Sequence, residues 1–439
     1  MRILYLLKHF PCLSQTFIQH EILELKRRGC VVYVASALRL KEELDFVDIP
    51  ELDGRIIYLS HDYLYRHSPS GRYSDREVID KAKLVFEVKN GEAEPGLTRR
   101  MFETVCRQED DEVLRARGFL ESMTVLSWIL REGVEHVHCD FAEENVKLAY
   151  LLHLAAGIPF SVKLRAYDIF AEPQREMPTW LNAAQQVITI SKYNKESVHR
   201  TFHVPRERIT VIYDGIPVNR LRPSPNYRTS PFVIASVGRL VEKKGHSYLI
   251  DACRLLKSSG FSFECSIYGS GPMMEALQAQ IVKLGLSDSI YMFGARPHGE
   301  ILESLESASV FVLPCVIAAN GDRDATPNGL MEAMAKAIPV ISTSISGIPE
   351  IIEDGIDGLL VEPQDPEALA RAILKIHADP GLTDEIRKNG RRKVERLFGI
   401  SRNITEMLAS IEFSDKTDGN AISAYETSSA TMQQQMGQL

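Results

Sequence analysis

Two carboxylates eight positions apart, Asp324 and Glu332, bracket a predicted helix start in the stretch Asn320–Ile352, and two cations, Arg239 and Lys244, share one short loop upstream of it. Together these residue types suit a phosphate-bearing ligand. The helix is expected because Thr326 is a good N-cap and Pro327 is welcome at a first helical position; Leu330, Ala333, Met334 and Ala337 then recur at i, i+3, i+4 and i+7. Its first turn, Asn328-Gly329-Leu330, leaves backbone N–H groups without intrahelical partners, and the glycine allows close approach, so the turn can receive an anion. Glu332 falls on the side of the helix away from Leu330 and Met334, where it can touch what lies beside the helix, while Asp324 can touch what lies above its start. The ordinary alternative is a capped helix in which Glu332 pairs with Lys336 at i, i+4.

The basic loop reads Gly238-Arg239-Leu240-Val241-Glu242-Lys243-Lys244-Gly245. A planar guanidinium and a compact ammonium projecting from one loop fit a diphosphate, against the alternative of two solvated surface cations. Gly269-Ser270-Gly271-Pro272 is a tight turn into a helix. Asp322-Arg323-Asp324 formally matches a metal-binding triplet, and His136 and His138 would face one side of a strand, but neither has further ligands nearby in sequence, so no metal is expected.

These residues need strands that end where they stand. Alternating β and α signals predict strands Ile3–Leu7, Val31–Ser36, Val134–His138, Pro159–Leu164, Val187–Ser191 and Ile209–Tyr213 in a first lobe. A proline- and arginine-rich linker, Pro217–Ser230, precedes a second series: Phe232–Val237, Phe263–Tyr268, Ile290–Phe293, Val310–Leu313, Pro339–Ser342 and Gly358–Val361. The fold class is therefore α/β, with two Rossmann-like domains whose ligands bind at the carboxyl ends of parallel strands. Arg165 and Asp168 stand at such an end. The expected divisions are residues 1–225, carrying a polar helical insertion at about 64–117; 226–400; a terminal helix over 401–413 that could cross back to the first lobe; and a disordered tail over 414–439. The acidic run Glu109–Glu112 reads as a solvated face of the insertion.

Composition narrows the function. A net charge of -8 argues against nucleic acid as the main partner, because phosphate neutralisation demands a basic stripe. No apolar run is long enough to span a bilayer, the apolar core before Lys8 and His9 is short for a signal peptide, and seven cysteines lack paired spacing. A cytoplasmic location is expected, with peripheral contact at the inner membrane face as the form any membrane role would take. The loop after the first strand lacks a GxGxxG motif, which argues against NAD or FAD, and no cofactor is expected. Asn403-Ile404-Thr405 is a glycosylation sequon that should be silent in such a compartment.

With these pieces assembled, the chain resembles the retaining GT-B glycosyltransferases of family 4, most closely over Val237–Gly245 and Val310–Pro363; the opening PCLSQTFIQHEILELKRRG is similar to the colanic-acid-type exopolysaccharide branch. The resemblance implies a hexosyl transfer from a nucleoside diphosphate sugar to a saccharide or lipid-linked saccharide acceptor, without metal. It places Arg239, Lys244 and the Asn328–Leu330 amides on the donor diphosphate, with Gly238, Gly269 and Arg296 in the same donor site. Glu332 matches the second acid of the family's Glu-x7-Glu motif and would grip the ribose, Asp324 the first acid, near the donor sugar. Ser14 and Gln15 fall in an acceptor-side loop. Two departures stand out: Asp324 is one methylene shorter than the family's Glu, and Arg165 replaces the His of a His-Ala-x-Asp-Ile-Phe pattern that Asp168 otherwise continues. Arg165 could serve as a phosphate clamp, mark an acidic sugar or mark lost activity. A nucleotide-sugar epimerase of GT-B-like fold and a sugar-nucleotide-binding pseudoenzyme are the competing readings.

Overall fold

The computed structural model of the protein describes residues 1–12, 15–38, 52, 55–59, 75–90, 95–224 and 230–415. In the first lobe β1 (Arg2–His9), β2 (Val31–Leu38), β3 (Ile56–Tyr58), β4 (His136–Asp140), β5 (Phe160–Leu164), β6 (Gln186–Thr189) and β7 (Ile209–Val211) form one parallel sheet in the order β3-β2-β1-β4-β5-β6-β7. The second lobe holds β8 (Val233–Val237), β9 (Glu264–Tyr268), β10 (Ile290–Gly294), β11 (Val310–Leu313), β12 (Val340–Thr343) and β13 (Leu359–Val361), parallel in the order β10-β9-β8-β11-β12-β13. The strand order reverses between β1 and β4 in one sheet and between β8 and β11 in the other. At such a reversal the flanking connections leave in opposite directions and open a crevice at the carboxyl ends.

The strands of the second lobe begin and end within one residue of the predicted positions. They are short, apolar and bounded by Gly or Pro, so buried runs and turn signals coincide. The first lobe departs more. The helix Glu112–Glu132 runs through the predicted end of the insertion, and Asp111, in the acidic run taken as solvated, caps it by accepting from Val113 N (3.0 Å) and Leu114 N (2.9 Å). That helix ends on Gly133 in the left-handed region, with Val134 N still bonded back to Ile129 O at 3.0 Å. β4 consequently starts at His136, two residues late, and places Asp140 at its carboxyl end. Two further helices, Asp75–Asn90 and Pro95–Gln108, pack with it.

Each sheet buries apolar side chains on both faces, as parallel sheets must. Helix Ile400–Asp415 lies on the first lobe, not the second. Its Ile404, Met407 and Ile411 pack with Ile18, Ile22 and Leu25 of helix Thr16–Arg27, and Arg28 donates to Ser401 Oγ (2.8 Å) and Thr405 Oγ1 (2.7 Å). Gly215 permits the crossing, because a Cβ there would sit 2.5 Å from Ile400 Cα. Asn403 of the sequon is buried and donates to Tyr213 O, so it presents no acceptor amide to solvent. No helix among the described residues is long and apolar enough to cross a membrane. The expected tail lies almost wholly outside the described residues.

Candidate active site

The loop after β8 is built around two glycines. Gly245 has φ +67°, and a Cβ on it would lie 1.8 Å from Pro314 O at the end of β11. The turn is thereby pressed against the strand end, and the Lys244 stem folds back over Gly238, whose Cβ position is 3.3 Å from Lys244 Cδ and Cε. Gly269, after β9, has φ +139° with its Cβ position 1.9 Å from Gly238 O. Gly269→Ala should therefore push the β8 and β9 loops apart, costing about 1–3 kcal/mol, read as a lower thermal midpoint together with weaker ligand binding.

Lys244 Nζ sits 2.7 Å from Asp324 Oδ2, and Lys243 Nζ lies 3.0 Å from Asp322 Oδ1. Burial opposes the charge on Asp324, but Lys244 and Lys243 outweigh it and hold the carboxyl below its usual range. Burial likewise works against Lys244, yet Asp324 raises its pKa, so this is a charged pair. Both acids of the metal-like triplet are thus matched to lysines. Arg323 between them stacks on Phe170 of the first lobe, 4.4 Å from the ring centre. Arg239 and Arg296 are exposed and make no ion pair among the described residues, so both remain available to an anion.

The central helix spans Asn328–Ala335, and its N-cap is Pro327, not Thr326. Proline with ψ 119° ends the extended approach, and Leu330 N bonds to Pro327 O at 3.1 Å, leaving the Asn328 and Gly329 amides without intrahelical partners. Gly329 packs tightly under the strand ends, its Cβ position 3.1 Å from Phe311 Cζ. Thr326 Oγ1 and Asn328 Oδ1 are buried and have no hydrogen-bond partner among the described residues. Orphaned polar atoms cost free energy unless something fills the place beside them. Leu330, Ala333, Met334 and Ala337 are buried as the periodicity requires. Glu332 does not pair with Lys336, which turns to Glu306 at 2.9 Å; its Oε1 lies 2.8 Å from His298 Nε2.

Facing this lobe, Arg165 is buried. Its Nε and Nη2 donate to the two oxygens of Asp140 at 2.6 and 2.8 Å, its Nη1 donates to Asp214, and Phe17 covers it 3.6 Å from the ring centre. Burial disfavours the cation, but Asp140 and Asp214 raise its pKa strongly. A guanidinium committed to two carboxylates is the floor of the site, not a free clamp. Asp168 is fully buried and accepts from Ala142 N (2.8 Å) and Arg165 N (2.9 Å), with burial pushing its pKa up to about 7. It shapes the β5 loop. Lys163 joins the same network through Glu21 and Asp214. Glu21, His138 and Asp140 offer ligand atoms within 4.8 Å of one another, but Lys163 and Arg165 already neutralise those carboxylates, and a further cation would have to displace them. Ser14 lies outside the described residues; Gln15 closes a turn onto Cys12 O at 3.1 Å.

The lobes also meet through residues that local pattern does not mark. Glu350 accepts from Lys192 N and Tyr193 N, both at 2.9 Å, and from Tyr213 Oη at 2.8 Å, capping the first-lobe helix Lys192–Phe202 from the second lobe. Arg323 Nη1 donates to Tyr193 Oη at 3.1 Å. The partners of Glu350 stand 137 to 158 positions away in sequence, beyond any local signal.

Residues 218–393 match the family model for glycosyl transferases group 1, and residues 110–220 match that for glycosyltransferase family 4. Glycosyltransferase family models thus match parts of both lobes. The chain is 40% identical over 212 residues to WcaL of Escherichia coli strain K12, a glycosyltransferase named for colanic acid biosynthesis, covering 47% of this chain and 52% of that one. It is 38% identical over 211 residues to the amylovoran biosynthesis glycosyltransferase AmsK of Erwinia amylovora, covering 46% and 51%. The chain thus spans about half the length of the curated relatives it matches. In fold it is similar to Anabaena HepE crystallised with UDP: TM-score 0.66, 18% identity, 93% of this chain and 100% of that one. The two lobes with their cleft are accordingly the GT-B architecture.

Proposed function

We propose that this chain is a family 4 glycosyltransferase that moves a hexosyl unit from a nucleoside diphosphate sugar to a hydroxyl of a saccharide or lipid-linked saccharide in polysaccharide biosynthesis, with retention at the anomeric carbon and without metal. The observation that carries it is the convergence at one strand edge of Lys244, the unpaired Arg239, the free amides of Asn328 and Gly329, and the orphaned Thr326 and Asn328 side chains. HepE, built on the same fold, binds UDP, and WcaL and AmsK are named for exopolysaccharide synthesis.

Cleavage of the sugar–phosphate bond builds positive charge on the anomeric carbon and negative charge on the departing diphosphate. Lys244, Arg239 and the helix start would stabilise that anion. The acceptor hydroxyl forms the new bond on the same face, and its proton passes to the departing phosphate oxygen. Asp324, already ion-paired to Lys244, would touch the sugar from the diphosphate side. The pairing of Asp322 and Asp324 with lysines supports independence from metal.

Calorimetric titration of UDP, GDP and ADP sugars tests the reading. One of them is expected to bind equally with and without EDTA, and Glu332→Ala and Arg239→Ala are each expected to weaken it by about 2 kcal/mol, the worth of a hydrogen bond to a charged group. Binding that survives both substitutions, or no binding at all, would overturn it. Conversion of the donor sugar to another isomer, with no acceptor and no nucleotide released, would point to epimerisation instead.

A further inference from the structure

Glu332 is held from behind. His298, first residue of the helix His298–Ser304, places Nε2 2.8 Å from its Oε1, while no hydrogen bond within the described residues reaches Oε2. Burial works against a charge on His298, but the hydrogen bond to Glu332 outweighs it and raises the pKa. The carboxylate side chain keeps only a small exposed fraction, 7%. An imidazole is short and planar, so a single Nε2 contact fixes the plane of the carboxylate as a long lysine could not.

Over this pair lies a residue of the other lobe. The ring of His20, from helix Thr16–Arg27, is 5.9 Å from that of His298 and tilted by 53°. Its Nδ1 is buried with no partner, and burial, together with His298, lowers its pKa to about 4, so the ring is neutral. Arg220, in the segment joining the lobes, adds to the same effect. A neutral ring here covers the His298–Glu332 bond without competing for the carboxylate.

Resting on the donor reading above, we infer that His298 is a positioning residue of the nucleotide site, fixing Glu332 so that its free oxygen meets the ribose diol, and that His20 completes this subsite from the first lobe by excluding water from the pair. Ribose recognition is thereby made sensitive to lobe apposition, since one of its supports comes from the opposite lobe.

The test compares, on the full chain, whichever of UDP, GDP and ADP binds wild type with its 2′,3′-dideoxy analogue. Wild type should prefer the ribose form by roughly 100-fold, and His298→Ala should cut that preference by roughly tenfold while leaving the dideoxy affinity in place. His298→Gln, whose amide can still donate to Glu332, should restore most of the preference. His20→Ala should cut it by about threefold, as loss of shielding without loss of the bond. If His298→Ala weakens both ligands equally, or leaves the preference intact, the positioning role is overturned; an unchanged preference in His20→Ala overturns the part of the first lobe. If wild type binds none of the three, or Glu332→Gln keeps the full preference, the donor reading itself fails, and this inference with it.

Discussion

Lys244→Met is expected to lower kcat/KM for glycosyl transfer by about 100- to 1000-fold, the loss seen when a group stabilising a developing anion is removed. The expectation follows from where the ammonium is held. Its stem lies against Gly238 and its Nζ against Asp324, so the charge is fixed at the strand edge before any ligand arrives. Methionine keeps the packing of the stem and removes only the charge. It also leaves Asp324 with the Cys315 thiol at 3.3 Å and Lys243, at 3.8 Å, as its remaining cation among the described residues, so instability of a buried carboxylate contributes to the defect. Lys244→Met/Asp324→Asn identifies the stability part, since the double variant should recover the thermal midpoint, and Asp324→Asn alone measures the loss of rate that belongs to the carboxylate. A single variant retaining more than a tenth of wild-type kcat/KM would remove Lys244 from the diphosphate site.

The parts of this site that could be read in advance are those whose cause is local. Gly238, Gly245 and Gly269 stand at strand ends where the chain turns sharply, and the Leu330–Ala337 periodicity marks a buried face; both signals live within a few residues. Partner choice does not. Glu332 had Lys336 one turn away and took His298, because that helix face turns toward β10 and its loop while Lys336 turns toward Glu306. Arg165 looked like a cleft cation because it ends a strand. Asp140 and Asp214, each at or just beyond the end of another first-lobe strand, claim it, and the two-residue delay of β4 that brings Asp140 there depends on how the preceding helix closes at Gly133. Thr326 failed as a cap because Pro327 already sets the extended backbone that a cap requires, which frees the threonine hydroxyl for the site. Edge strand β3 is three half-buried residues long, and although Asp53-Gly54 precedes it in sequence, so short a run shows no period by which pattern alone could mark it.

The second large effect concerns stability and comes from the two histidines on β4. His136 Nε2 and His138 Nδ1 lie 2.8 and 2.7 Å from one hydroxyl, Ser161 Oγ on β5. That hydroxyl can donate to one ring, which must then be neutral, and accept from the other; the remaining nitrogens, His136 Nδ1 and His138 Nε2, are buried without partners among the described residues. Protonating either ring would add a buried donor with nothing to receive it, and burial accordingly pushes both pKa values down to about 3. The unfolded chain titrates near 6.5, so it takes up protons that the native state refuses: the stability of the neutral pair is whole above that value and is lost as pH falls toward 3. Asp168, whose buried carboxyl holds its proton to about 7, works in the opposite sense, so the pH profile of the wild type alone is a mixture. The difference between wild type and His136→Leu isolates one titration. Leucine loses the bond to Ser161, which keeps His138, and should be the less stable protein at pH 7.5. From pH 6.5 to 4.5 the difference should move in favour of the variant, with a slope that rises from half of ~1.4 kcal/mol per pH unit toward the full value, roughly 2 kcal/mol in all. Urea midpoints at four pH values would measure it, and parallel curves for the two proteins would mean that His136 takes up its proton as readily in the native state as in the unfolded chain, overturning the neutral pair.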